Sequence, residues 1–361
     1  MKIEAIEISH LKLPYIKPLI TSANQFFNAE GLLVKAGSDN GLTGYGYIDV
    51  FPRTGETMGS AQYAIETVLK PKLLGQDLKE LGKIKESINR AFIGNRRVKA
   101  GVETALYDLV AKNLHVPVYV LLGGRVKKEI RVIRLMSLDD PDKMAEDARR
   151  IIGEGITALK LKVSGEYHLD VKRVSKVRDA VGSGIFLKID ANEAFDAKSA
   201  IRLAKSLADL EVEIFEQPVP RSQTQALLEV KNKSPIKIEA DQSAGSVIEA
   251  YHLIQNGVVD SINTSVLKAG GLIEARQIAY LCGLSGVSCH LGNIARCMVG
   301  DAAALQLAAS SASISPLCEL GEFATITGDP FTGLQVNDGI LKVPEGEGLG
   351  VDNVQGNLYP T

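Results

Sequence analysis

Four short runs place lysines and carboxylates where they could do acid–base chemistry beside a metal ion: Ala158-Leu-Lys-Leu-Lys-Val163, Leu187-Lys-Ile-Asp-Ala-Asn192, Phe215-Glu-Gln-Pro218 and Glu239-Ala-Asp-Gln-Ser243. Asp190, Glu216 and Asp241 follow one another at intervals of about 25 residues, the length of one strand-helix repeat in a parallel barrel. Three such carboxylates, with room for water and for a substrate carboxylate, suit a hard cation: Mg²⁺, with Mn²⁺ as the alternative ion. Lys162 has Lys160 two residues away on the same strand face, and a like charge that close favours the neutral amine, a usable base. The two features fit one reaction. A hydrogen α to a carboxylate is too weakly acidic for a lysine unless the developing enolate is stabilised, and a divalent cation on the carboxylate oxygens does that.

The elements that must hold these residues are legible from periodicity. From about Ile130 onward, short apolar strands alternate with amphipathic helices, which predicts a parallel (β/α) barrel. The strands are read near Ile130–Met136, Ala158–Val163, Ile185–Asp190, Glu213–Glu216, Ile236–Asp241, Ser261–Val266, Gly286–His290 and Ser315–Leu320. Alternation directs Leu159, Leu161 and Val163 toward the helices and Lys160 and Lys162 inward; by the same rule Lys188, Asp190, Asn192, Glu239, Asp241, Asn263, Ser265, His290 and Glu319 face the barrel interior. One such charge is unremarkable at a strand end. Several on one face would be costly to bury without an ion or substrate, and active sites of this fold lie at the C-terminal rim. The first ~120 residues read differently, as a three-stranded meander followed by helices, an α+β unit. The expected division is residues 1–125, 126–320 for the barrel, and 321–361 returning to the first unit.

Composition narrows the partners. A formal net charge of -2, with no basic stripe, argues against nucleic acid, and no run reaches the ~18 apolar residues of a membrane span. Cys282, Cys289, Cys297 and Cys318 lack paired zinc spacing and read as buried thiols. A cytoplasmic enzyme acting on a small carboxylate is expected, with a homo-oligomer left open.

These strands, together with Gly44-Tyr-Gly46, Lys268-Ala-Gly-Gly271 and Gly348-Leu-Gly350, resemble the muconate lactonizing enzyme subgroup of the enolase superfamily, the mandelate racemase/muconate lactonizing enzyme family. The resemblance covers nearly the whole chain. It implies a (β/α)7β-type barrel with an N-terminal α+β capping domain completed by the C-terminal segment, and capping loops near Thr21–Phe27 and Arg53–Thr57 closing over substrate. It also implies Asp190, Glu216 and Asp241 as metal ligands, Lys162 as acid/base and Lys160 as its companion.

Departures from the family's pattern bear on the reaction. Relatives that epimerise carry a second lysine on strand six; alignment on Lys268-Ala-Gly-Gly271 puts Ser265 there and leaves Lys268 three residues later. Gln242 stands where an acid usually follows the last ligand. His290 on strand seven reads equally as catalytic or as a hydrogen-bonded interior residue, and Arg296 as an anion contact or a solvated helix start. Asn192, Gln242, Ser265, Arg296, Glu319 and Glu322 are the candidates for contacting substrate or supporting those that do. The leading expectation is proton abstraction by Lys162 followed by cycloisomerisation or β-elimination. The alternatives are a racemase or epimerase of an amino acid derivative or dipeptide using Lys268 or His290, a Schiff-base lyase on Lys162, and a metal-dependent carboxylate-binding protein without turnover.

Overall fold

The computed structural model describes residues 1–22, 24–50, 54–292 and 297–354. It opens with an antiparallel sheet of three strands, β1 (Ile3–Ile20), β2 (Gln25–Ser38) and β3 (Thr43–Asp49), in that order. The first two run longer than the alternation alone suggests. Pro14 and Pro18 are tolerated in β1 because it is an edge strand, and its pairing with β2 shifts register between Pro14 and Leu19. The helix Arg96–Asn113 lies across β3 at unusually close range. Gly44 and Gly46 permit this, since a Cβ at either would overlap the Ala105 or Gly101 carbonyl. That explains the glycine-tyrosine-glycine spacing as a packing requirement.

The barrel follows as expected. Its first strand is split at Ile133 into β4 (Glu129–Val132) and β5 (Arg134–Met136). Then come β6 (Ala158–Lys162), β7 (Phe186–Asp190), β8 (Val212–Glu216), β9 (Lys237–Ala240), β10 (Ser261–Thr264) and β11 (Ser288–Leu291), parallel neighbours in sequence order. β12 (Leu317–Cys318) pairs with β4, while the Ser315 and Glu319 amides donate to Cys289 and Leu291 carbonyls at 2.8 and 2.9 Å, closing the ring. Leu159, Leu161, Leu187, Ile189 and Ile238 are fully buried against the helices, as period two requires. All four cysteines are buried and free. No helix among the described residues is long and apolar enough to cross a membrane.

After the barrel the chain runs back to the N-terminal unit. The Gly348 amide donates to Val116 at 2.9 Å, the Leu349 amide to Asp108 at 2.8 Å, and the Phe331 ring meets Tyr45 edge-on at 5.1 Å between centroids. Gly348 has φ +66, and a Cβ there would strike the Asp108 carboxylate. The glycine in Gly348-Leu-Gly350 is therefore a structural necessity. Cap and barrel also touch at strand ends that bear chemistry: Ser22 Oγ donates to the Ala191 carbonyl at 2.9 Å, and Arg96 to the Gly245 carbonyl at 2.8 Å.

Candidate active site

A cavity of about 580 Å³ opens at the C-terminal rim of the barrel beneath the N-terminal sheet, and Lys160, Lys162, Asp190, Asn192, Glu216, Asp241, Gln242, Ser265, Lys268 and Glu319 all line it. The two expected capping loops reach it through Thr21, Asn24 and Phe26 on one side and Thr54 and Glu56 on the other. Arg53 and Arg296 lie outside the described residues.

The charges form a layered network. At the rim, Lys162 Nζ lies 2.5 Å from Asp190 Oδ2, which Lys160 Nζ also meets at 3.1 Å. The like charge expected beside Lys162 is thus shared with a carboxylate. Lys160 continues to Glu216 at 2.8 Å and Glu319 at 2.8 Å. One layer deeper, Lys188 is wholly buried and pairs with Glu216 and Glu319, each at 2.6 Å, and with Glu239. Glu239 in turn meets His290 Nδ1 at 2.7 Å and accepts from Ser261 Oγ at 2.6 Å. Asn263 Nδ2 donates to Glu319 at 2.8 Å.

Burial opposes every one of these charges, and the outcome depends on which partner each has. Against burial, Asp190, Glu216 and Glu319 hold the Lys160 ammonium well above the ordinary lysine range. Lys188 is likewise raised against burial by Glu216, Glu239 and Glu319, and it and His290 keep Glu239 well below the carboxylate range despite burial. Glu216 goes the other way: burial and the neighbouring Asp190 charge push it up to about 8. Burial and the crowding of carboxylates thus favour the protonated form of Glu216.

Two acidic groupings could take a cation. Glu216, Glu239 and Glu319 have oxygens within 4.8 Å of one another, close enough for a metal ion. Lys188 Nζ, however, already contacts all three, and Glu239 does not line the cavity. Asp190, Glu216 and Asp241 do line it, from consecutive strand ends. Their all-oxygen donor set fits a hard divalent cation. Asn192 supports the group, its backbone and side-chain nitrogens donating to Asp190 at 2.9 and 3.1 Å. Gln242 donates to Asp241. Gln217, held at φ +36, accepts from the Asp241 and Ser243 amides at 3.0 and 3.1 Å and so fixes the loop that presents Asp241.

The structure corrects the reading of strand six. β10 ends at Thr264, not Val266, and Ser265 caps a helical turn, Val266–Ala269, by accepting from the Lys268 amide at 3.2 Å. A helical turn brings residue i+3 back over its cap. Lys268 therefore turns into the cavity, where its ammonium bonds Asp241 Oδ1, the Asp241 carbonyl at 2.8 Å and the Asn263 carbonyl at 2.5 Å. His290 is buried, pairs with Glu239 and does not line the cavity; Glu322 pairs with Arg134 at 3.4 Å and is likewise away from it. Lys188 and Glu239 emerge as structural charges under the site. Strand alternation already turned both inward, which was the available signal.

Residues 143–354 match the family profile Enolase C-terminal domain-like, and residues 5–123 match Mandelate racemase / muconate lactonizing enzyme, N-terminal domain. The chain belongs to the enolase superfamily, in the mandelate racemase/muconate lactonizing enzyme family. It is 29% identical to an N-succinyl-L-Arg/Lys racemase of Bacillus cereus, with 98% of this chain and 95% of that protein covered. Muconate cycloisomerase 1 of Rhodococcus opacus is 28% identical, covering 98% and 96%. The dipeptide epimerase of Enterococcus faecalis V583, solved with Mg and the dipeptide L-Leu-L-Tyr, superposes with a TM-score of 0.94 at 30% identity, covering 98% of this chain and 100% of that one. An isomerase of this superfamily is what these likenesses support together.

Proposed function

We propose that this enzyme racemises or epimerises a carbon α to a carboxylate in an N-acylated amino acid or dipeptide, with Lys162 and Lys268 as the two bases and Asp190, Glu216 and Asp241 holding Mg²⁺. The observation that carries this reading is the position of the Lys268 ammonium in the cavity beside Asp241. Lys162 comes from β6 and bonds Asp190; Lys268 follows β10 and bonds Asp241; the three carboxylates sit on β7, β8 and just past β9, between them. A substrate held over those carboxylates has one lysine on each flank. That is the arrangement for removing a proton from one face and returning one to the other.

Each lysine would alternate between ammonium and amine, its proton held meanwhile against the adjacent aspartate. Lys160, kept charged by three carboxylates, would stay a fixed cation that orients the substrate's acid group. A bound Mg²⁺ would neutralise charge developing on the substrate carboxylate. The one-base alternative, cycloisomerisation or elimination, rests on Ser265, which lines the cavity where epimerising relatives carry their second lysine; the two-base reading is favoured by the Lys268 ammonium reaching the same cavity. Support for the substrate class comes from the racemase and dipeptide epimerase likenesses.

Proton NMR in D₂O, on a panel of N-acyl amino acids and dipeptides with Mg²⁺, tests the reading. Exchange of the α-hydrogen with inversion is expected, lost on chelation with EDTA and restored by Mg²⁺. Lys162→Ala and Lys268→Ala should each abolish exchange from one antipode only. Exchange without inversion, indifferent to Lys268→Ala, would return the assignment to one-base chemistry.

A further inference from the structure

Strand β10 turns uncharged polar side chains toward the barrel interior. They are Ser261, Asn263 and, because the backbone is still extended at Ser265 with φ -152 and ψ 156, Ser265 as well. Ser261 is engaged below by Glu239 and His290. Asn263 and Ser265 line the cavity and are only 1% and 4% exposed. Asn263 Nδ2 is fixed by Glu319 at 2.8 Å and Glu216 at 3.2 Å, which leaves Oδ1 a buried acceptor with no hydrogen-bond partner among the described residues. Gly292, also on the cavity wall, has no side chain to displace that oxygen, and a Cβ there would strike it. Ser265 Oγ accepts from the Lys268 amide, and its own hydrogen has no acceptor among the described residues.

The wall thus presents an acceptor and a donor two residues apart on one strand, an interval of about 6.6 Å. A buried acceptor left unpaired is costly, so this wall is complete only when a donor reaches it. A hydroxyl bonded to both groups would bridge at most about 5.6 Å, two hydrogen bonds of about 2.8 Å end to end. A trans amide sends its N–H and C=O in opposite directions with a C–N bond of about 1.3 Å between them, and spans the longer interval. In the ring β10 stands four strands from β6, so this wall faces Lys162 across the cavity. An amide held here leaves the adjoining α-carbon between the wall and Lys162.

We propose that Asn263 and Ser265 form the subsite for the substrate's amide, Asn263 Oδ1 accepting from its N–H and Ser265 Oγ donating to its C=O. This rests on the N-acylated substrate class proposed above and not on which group serves as second base. Calorimetric titration with Mg²⁺ compares wild type, Asn263→Ala and Ser265→Ala, each checked for folding by thermal unfolding. Three racemic ligands are used, so that turnover cannot change their composition: N-succinylnorleucine, its ester counterpart with oxygen in place of N–H, and its all-carbon counterpart with CH₂–CH₂ in place of CO–NH. Wild type should bind the amide about tenfold or more tightly than the ester, which sets an oxygen against Asn263 Oδ1. In Asn263→Ala that ratio should fall to within about twofold of one. The ester keeps the C=O that the all-carbon ligand lacks, and the ratio of those two affinities should fall about fivefold in Ser265→Ala. Damage to the Glu216 contact or to the cap of the following turn acts on all three ligands and cancels in the ratios. Either ratio unchanged in its variant, or three ligands bound alike by wild type, overturns the proposal; should Asn263→Ala not fold, Ser265→Ala decides alone. Exchange of the α-hydrogen of N-succinylnorleucine in D₂O is read separately. Exchange with unchanged ratios leaves the racemase reading standing without this subsite, and shifted ratios without exchange leave the subsite without that reaction. Binding of none of the three ligands overturns both.

Discussion

Replacing Lys188 with methionine removes one ammonium from the centre of the network and keeps the volume. Lys188 is fully buried and its Nζ serves three carboxylates, Glu216, Glu239 and Glu319. Among the described residues, Lys160 and His290 remain as ion-pair partners of these carboxylates. Removing one partner of a buried ion pair costs about 3–5 kcal/mol, because the charge left behind is desolvated and uncompensated. With an unfolding entropy of about 2.1 cal/mol/K per residue, a loss near 4 kcal/mol lowers the midpoint of this chain by about 5 °C. Thermal unfolding followed by circular dichroism measures it. The deficit should narrow as pH falls, since a proton on one glutamate substitutes for the missing ammonium, and should be widest above neutrality. Lys188→Met combined with Glu239→Gln should recover about 1–2 kcal/mol of the loss, as two members of one network are not additive. A single variant as stable as wild type, or a double variant no better than the single, would refute the account of Lys188 as the counter-charge of this cluster.

Other outcomes follow from the same structure. His290→Asn should destabilise by about 1–3 kcal/mol by depriving Glu239 of a partner, yet slow α-proton exchange far less than Lys162→Ala, measured by NMR on the same substrate. Gly46→Ala should cost about 2–3 kcal/mol or more in urea unfolding, because its Cβ meets the Gly101 backbone, which cannot move without displacing the cap helix. Burial raises Glu103 to about 7 in the face of Lys85, so its share of stability is present below the ordinary carboxylate range near 4.5 and is lost as pH rises through about 7. Comparing urea midpoints of wild type and Glu103→Gln from pH 4.5 to 8 should show a flatter profile in the variant, and parallel profiles would contradict the shift.

The sequence by itself determined the barrel, its rim of charges and the meander before it. Side chains alternate strictly along a strand, so Lys160 with Lys162, Lys188 with Asp190, and Glu239 with Asp241 could be assigned to the interior without coordinates. The strand-helix repeat length then brought Asp190, Glu216 and Asp241 together at one rim. What alternation cannot reveal is where a strand stops. One residue pair beyond Thr264 the backbone turns helical, the period changes from two to 3.6, and Lys268 moves from a doubtful position to the cavity wall. The partners of each interior charge were equally hidden, because which of Glu216, Glu239 and Glu319 meets Lys188 depends on the tilt and closure of the whole ring. The contact of the cap with the barrel near Gly271 was further still from view. Nothing in the spacing of Glu103 and Ile273 pairs them, and only docking of the cap against the barrel brings residues some 170 positions apart into hydrogen-bonding range, the Glu103 carboxylate with the Ile273 amide.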